Sequence, residues 1–237
     1  MRSVPVPPRA GLTVRARDYA YALRVLGARR APATSVAALR QPRAGRPSIV
    51  LIPGVHESWT FLRPVADLLH AHGYDVHAVE TLRHNTGSIY EMAARVGAHI
   101  SAEGIERCVL VAHSKGGLIG KHLLANHDPA TTILGLVAVN TPFHGSSLAR
   151  LLPLPTLRMF RPESAELAEL AAASHVDRLI VSIFGSFDPH IPGGSRLDGA
   201  RNIQLETRGH FLPLGDPLVH AAVLEAVESF SRSAPVL

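Results

Sequence analysis

Apolar and polar positions change their period several times along this 237-residue chain. Short apolar runs, each bounded by Gly, Pro or charged residues, alternate with longer stretches in which apolar positions recur every three or four residues. The short runs predict strands over Ile49–Ile52, Asp75–Glu80, Arg107–Ala112, Ile133–Asn140, Arg178–Phe184 and Arg201–Leu205. The longer stretches predict helices over Ser58–His72, closed by Gly73, then Ser88–Glu103, Leu118–Ala125, Glu163–Ala173 and Pro217–Phe230. Strand and helix alternate at the spacing of βαβ units, so the expected architecture is α/β, a doubly wound and mostly parallel sheet flanked by helices. No internal repeat is visible.

Two stretches break this rhythm. The first is the N-terminal arm, residues 1–47. Its first eleven residues are Pro-rich and read as extended or disordered; Leu12–Leu26 predicts a helix with Val14, Tyr21 and Val25 on or near one face, ended by Gly27. Residues 31–47 carry Pro32, Pro42, Gly45 and Pro47 and read as a linker. The α/β body is therefore expected to span residues 48–237. The second break is residues 146–175, longer than a plain loop and rich in Leu, Met and Phe. Pro153, Pro155 and Pro162 divide its first half. It follows the C-terminal end of a strand, the side on which open α/β sheets place their sites, so a lid-like insertion and an ordinary crossover are both open.

Charge is distributed unevenly. The arm holds ten Arg and one acid, Asp18, for +9; with a net charge of +5, the remaining 190 residues sum to −4. Such an arm is suited to peripheral contact with anionic surfaces, but it has no Lys and few aromatics between its arginines, so no nucleic-acid partner is expected. No run approaches the roughly 18 apolar residues of a membrane span. Arg2 is followed by Pro5, Pro7, Pro8 and Arg9 instead of an apolar segment, so a cytoplasmic location is expected. The single cysteine, Cys108, excludes an intrachain disulfide and is expected to pack.

The chemistry centres on Val109–Leu118, VLVAHSKGGL, where an apolar run ends in a serine followed by two glycines and a helical pattern. A sharp strand-to-helix turn at Ser114 strains the backbone and requires small neighbours two residues away, here Ala112 and Gly116. A serine hydroxyl is a poor nucleophile without a base, and the base needs an orienting carboxylate. After Ser114, the strand ends supply Asp188, in GSFDPH, and then His210, in RGHFLP. The order Ser, Asp, His is that expected for such a turn. A developing oxyanion needs donors as well. The backbone N–H of Lys115 is one candidate, and that of Val55, in the Pro53-Gly54-Val55-His56 loop, is the other. His56, Trp59, His144, Leu152 and Phe160 are candidates to contact substrate, and His190 lies at the pocket edge. His113 reads as structural. No metal-ligand spacing, phosphate loop or dinucleotide fingerprint occurs, so no metal and no cofactor are expected.

Residues 48–230 resemble the small lipase/esterase branch of the α/β-hydrolases. IVLIPGVHESWTFLRPVADLLHAHGYDV is similar to the opening strand, oxyanion loop and first helix, with Pro53-Gly54 where many members carry His-Gly. VLVAHSKGGLIG resembles the elbow, and AVNTPFHGS resembles a segment such lipases show after the next strand. The resemblance implies a serine hydrolase that cleaves small-molecule or lipid esters through an acyl-enzyme. An acyltransferase or thioesterase using the same triad, and a non-catalytic binding protein on the same fold, are the alternatives.

Overall fold

The computed structural model describes residues 8–28, 36–126, 132–151 and 154–233. Six strands form one sheet: β1 (Ser48–Ile52), β2 (Val76–Ala78), β3 (Arg107–His113), β4 (Thr132–Val139), β5 (Ile180–Phe187) and β6 (Arg201–Arg208). Their spatial order is β2-β1-β3-β4-β5-β6, and every pairing is parallel. β1 and β3 are buried on both faces along nearly their whole length, which is why they read as unbroken apolar runs.

Alternate residues of each strand feed two separate cores. Val50, Ile52, Leu110, Ala112, Leu136 and Ala138 pack beneath α3 (Ile89–Ala102) and α4 (Lys115–Asn126). Ile49, Leu51, Val109, Val111, Val137 and Val139 pack beneath α2 (Arg63–Ala71) and α6 (Pro217–Ser233). After β1 the chain places β2 on one side of it, then returns to lay β3 on the other. The resulting crevice at the C-terminal ends of β1 and β3 is the topological switch point, where open α/β sheets bind ligands.

Several elements differ from their sequence expectations. The N-terminal helix α1 runs from Pro8 to Ala28, so it starts inside the Pro-rich stretch. Proline at the first helical position loses no hydrogen bond, because that N–H has no partner within a helix. Of the expected linker, residues 31–35 lie outside the described residues. The rest is pinned: Val36–Leu39 forms a 3-10 turn with Leu39 only 1% exposed, Arg40 pairs with Asp75 and Glu103, and Gln41 bonds Asp75, His70 and Tyr74. The helix expected over Ser58–His72 splits into a 3-10 turn, Trp59–Leu62, and α2, which begins with Pro64 in its first turn.

The insertion contains 3-10 turns at Ser147–Arg150, Pro155–Phe160 and Ser174–Leu179, and one helix, α5 (Ala165–Ala172), capped by Ser164 accepting from the N–H of Leu167. Its Met159, Phe160, Leu167 and Leu170 join the core on the α3/α4 side. Cys108 is buried there, with its thiol pushed up to about 12 by burial. Among the described residues no helix is long and apolar enough to cross a membrane.

Candidate active site

Ser114 is the one residue between β3 and α4, and its φ of 51° lies in the left-handed region. This strain is held from both sides. The Ser114 N–H donates to Val139 O on the neighbouring strand at 2.9 Å, and a side chain at Gly116 would overlap the Ile52 carbonyl oxygen on β1. The turn therefore sits tightly against the end of β1, whose Ile52 is in register with Ala112.

Asp188 follows β5 and His210 follows β6, and both are almost fully buried, as is Ser114 at 6% exposure. His210 Nδ1 lies 2.7 Å from Asp188 Oδ2, and His210 Nε2 lies 3.0 Å from Ser114 Oγ. Facing a carboxylate, Nδ1 carries the proton, which leaves Nε2 free to accept from the serine hydroxyl. Asp188 uses its other oxygen for its own turn, where Oδ1 accepts from the N–H groups of His190 at 2.7 Å and Ile191 at 3.2 Å. The same residue shapes the turn and orients the histidine.

Electrostatics favour a charged pair when His210 is protonated. Burial disfavours the imidazolium, but the Asp188 carboxylate outweighs it, with Glu57 and Asp18 adding to the same effect, so the His210 pKa lies above its ordinary value. Burial likewise opposes the Asp188 carboxylate, yet the charge and hydrogen bond of His210 and the backbone N–H of His190 bring its pKa below the usual range. His190 stacks on His210 with centroids 4.7 Å apart. Burial, and after it the charge of His210, push His190 down to about 4, so it stays neutral while His210 titrates.

The backbone of His210 is gripped at both its polar groups. Its carbonyl accepts from His113 Nε2 and Asn140 Nδ2, each at 3.0 Å. Its N–H donates to Asp18 Oδ1 on α1 at 3.0 Å. His113 is fully buried, and its Nδ1 faces Glu57 at 2.8 Å. Glu57 in turn accepts from the Gly54 N–H at 2.9 Å, so one hydrogen-bonded path joins the loop after β1 to the His210 loop. That first loop is also tied by Asn85 Nδ2 to Pro53 O, while Lys115 Nζ, inaccessible to solvent, donates to the carbonyls of Asn85 and Gly87. Burial lowers the Lys115 pKa to about 8.

Glu57, His113 and His210 bring potential metal-ligand atoms within 4.8 Å of one another. Each histidine nitrogen already faces its own partner, Glu57, the His210 carbonyl, Asp188 or Ser114, so the group is a hydrogen-bond network and does not fit a metal.

The remaining residues singled out from sequence are spread around this centre. Lys115 opens α4 directly after Ser114, and Val55 is half-buried in the loop after β1. His56 is exposed and reaches Thr156 Oγ1 of the insertion at 3.2 Å. Trp59 packs against the α2/α6 core, and Phe160, 6% exposed, is part of the opposite core. His144 is exposed after β4, and Leu152 lies outside the described residues. Sequence reasoning missed Asp18, Glu57 and Asn140. Asn140, with φ 47°, closes β4 as an asparagine in the left-handed region, a local signal of a built turn. A cavity of about 440 Å³ lined by Arg40, Asp75 and Arg107 lies at the N-terminal strand ends, away from Ser114.

The fold is that of the α/β-hydrolases. The mature form of the lipase BlEst2 from Bacillus licheniformis superposes with a TM-score of 0.62 at 17% identity, over 79% of this chain and 94% of that one. A monoacylglycerol lipase from Paleococcus ferrophilus gives 0.56 at 18% identity, over 78% and 96%. A bacterial membrane phospholipase A gives 0.57 at 16% identity, over 91% and 94%. No family model matches the chain, and a comparison with curated proteins finds no match. At these identities the likeness concerns the fold.

Proposed function

We propose that the protein is a serine hydrolase of carboxylic esters. The observation that carries this reading is the line of three groups from Asp188 through His210 to Ser114, at 2.7 and 3.0 Å. In this mechanism Ser114 Oγ attacks the ester carbonyl carbon while His210 Nε2 takes the hydroxyl proton. The tetrahedral intermediate collapses, His210 returns the proton to the departing alcohol, and the acyl group remains on Ser114. Water, deprotonated by the same nitrogen, then releases the carboxylic acid and restores the serine. Asp188 holds the imidazole in the required tautomer and stabilises its charged form.

The oxyanion is assigned to the N–H groups of Lys115 and Val55. Lys115 opens a helix, whose dipole favours negative charge at that end. In the loop after β1, Gly54 N–H is committed to Glu57, which leaves Val55 as the next donor in line. The fold's similarity to lipases and a phospholipase supports an acyl ester as the substrate class. The test is labelling with a fluorophosphonate, followed by a panel of p-nitrophenyl esters of rising acyl length. Wild type should label at Ser114 and turn over at least one ester; labelling at another serine, such as Ser58 or Ser186, overturns the assignment.

A further inference from the structure

The N-terminal helix was expected to lie outside the catalytic body, yet it supplies a carboxylate to the loop that carries His210. Asp18 is fully buried, and its Oδ1 accepts from three consecutive backbone N–H groups: His210 at 3.0 Å, Phe211 at 2.8 Å and Leu212 at 2.8 Å. The position of these bonds gives them their weight. β6 ends at Arg208, and the N–H of Gly209 makes the last bond to β5, donating to Phe187 O at 2.8 Å. Beyond it the chain leaves the sheet through Gly209, whose φ of 117° only glycine adopts readily and where a Cβ would lie 2.5 Å from Asp18 Oδ1. From there to the 3-10 turn at Leu212–Gly215 no sheet ladder supports the backbone. Asp18 takes its place, acting as an N-cap supplied from another element.

We infer that Asp18 is a positioning residue for the proposed reaction: from α1 it fixes the backbone of the His210 loop and thereby sets the imidazole between Asp188 and Ser114. This rests on the proposed serine-hydrolase reading. Other side chains of α1 dock the helix through apolar and ring contacts. Tyr21 and Ala22 are buried in the α2/α6 core, and the ring of Tyr19 packs against His190 and Phe211 at 5.6 and 6.4 Å. Asp18 also adds negative charge near His210, alongside Asp188 and Glu57. The rings of His113 and His190 face His210 at 4.8 and 4.7 Å.

The experiment compares Asp18→Ala, Asp18→Asn and the docking control Tyr21→Leu in the full chain. Misplacing a catalytic group by about 1 Å costs roughly 100-fold, so Asp18→Ala should lose about that much in kcat and in fluorophosphonate labelling rate, with KM within about twofold. Asp18→Asn keeps an oxygen acceptor without the charge. It should lose roughly tenfold or less, and the acid limb of its kcat/KM profile should move to lower pH, because the imidazolium has lost a stabilising neighbour. Amide exchange over residues 209–215, followed by mass spectrometry, should quicken in Asp18→Ala. Tyr21→Leu should lower the melting temperature yet keep kcat within about threefold.

The inference is overturned if Asp18→Ala keeps its labelling rate and kcat within about threefold, or if Tyr21→Leu loses as much activity as Asp18→Ala. A wild type that neither labels nor hydrolyses any ester would instead sink the hydrolase reading. The exchange measurement then still decides whether Asp18 holds the loop: unchanged exchange refutes it, and faster exchange supports it.

Discussion

Two regions flank the candidate site, and they reach it by different means. The insertion, residues 146–175, is greasy in composition and follows a strand end, so it invites the reading of a lid. Met159, Phe160, Leu167 and Leu170 nonetheless point inward, buried in the core with α3 and α4, whereas Leu151 and Leu154 are exposed. Its polar links to the site's surroundings include the hydrogen bond from Ser146 Oγ to His190 O and the exposed contact of Thr156 with His56. The N-terminal helix carries arginine at every charged position but one, yet that one places a buried carboxylate on three amides of the His210 loop. What ties a segment to a site here is the destination of its polar atoms, because a buried hydrogen bond fixes geometry while apolar contact only fills volume.

The largest expected effect sets the scale for both regions. Ser114→Ala should abolish labelling and reduce ester turnover by several orders of magnitude, leaving only what oxyanion donors and binding provide. Its melting temperature should stay near that of wild type, since the substitution removes one oxygen and keeps the backbone bond to Val139 that holds the turn. His210→Ala should cost nearly as much, and the double mutant should be little worse than either, because the two act as one unit. His190→Ala should cost far less: its ring stacks on His210, while its backbone N–H, which survives the substitution, is what bonds Asp188. Equal losses in His190→Ala and His210→Ala would show that the His210 imidazole works only while the stacked ring holds it in place.

The pH dependence follows from the direction of the His210 shift. In the proposed reaction His210 must be neutral to accept the serine proton, and its pKa lies above the ordinary histidine value of about 6.5. The acid limb of kcat/KM should therefore have its midpoint above that value, with activity rising through it as pH rises. His190, pushed down to about 4, stays neutral throughout this window and should leave no inflection in it. A midpoint at or below the ordinary value would mean that burial, and not Asp188, dominates at His210.

Much of this was legible in the chain. The sheet was readable because β1, β3 and β4 are buried on both faces, which leaves continuous apolar runs at regular intervals. The residues at their ends were readable because the turn at Ser114 demands small neighbours and because Asp188 and His210 each follow a strand. The support for His210 was not. Asp18 lies 192 positions from its first partner and sits in a helix whose other charges are arginines, so no local pattern marks it. The helix start at Pro8 was hidden for a different reason, since a proline in a Pro-rich stretch looks extended unless it happens to be the first helical residue. Phe160 shows the converse: an aromatic in a loop-like stretch reads as available, and the structure packs it into the core.

That burial yields a test that separates filling from lining. Phe160→Ala should destabilise the fold by about 3 kcal/mol or more, as removal of a buried phenylalanine usually does. At temperatures where the variant remains folded, its relative rates on short and long acyl esters should match those of wild type. If instead the loss grew with acyl length, by roughly 0.8 kcal/mol per methylene lost from contact, the side chain would be lining the acyl path and the insertion would be a working lid.

The smallest effect is expected where the insertion meets the loop after β1. His56 Nε2 and Thr156 Oγ1 are 3.2 Å apart at an exposed position, and this is a link between the Val55 loop and the insertion. A typical hydrogen bond contributes about 0.5–1.5 kcal/mol, and an exposed one is readily exchanged for bonds to water. The loop also has firmer anchors, the bond from Asn85 to Pro53 O and that from Gly54 N–H to Glu57, both buried. His56→Ala should therefore change kcat/KM by less than about threefold and leave chain-length preference unaltered. A loss of tenfold or more confined to long acyl chains would reverse the contrast between the two regions: the insertion would then control access through this one contact, and α1 would be the passive support.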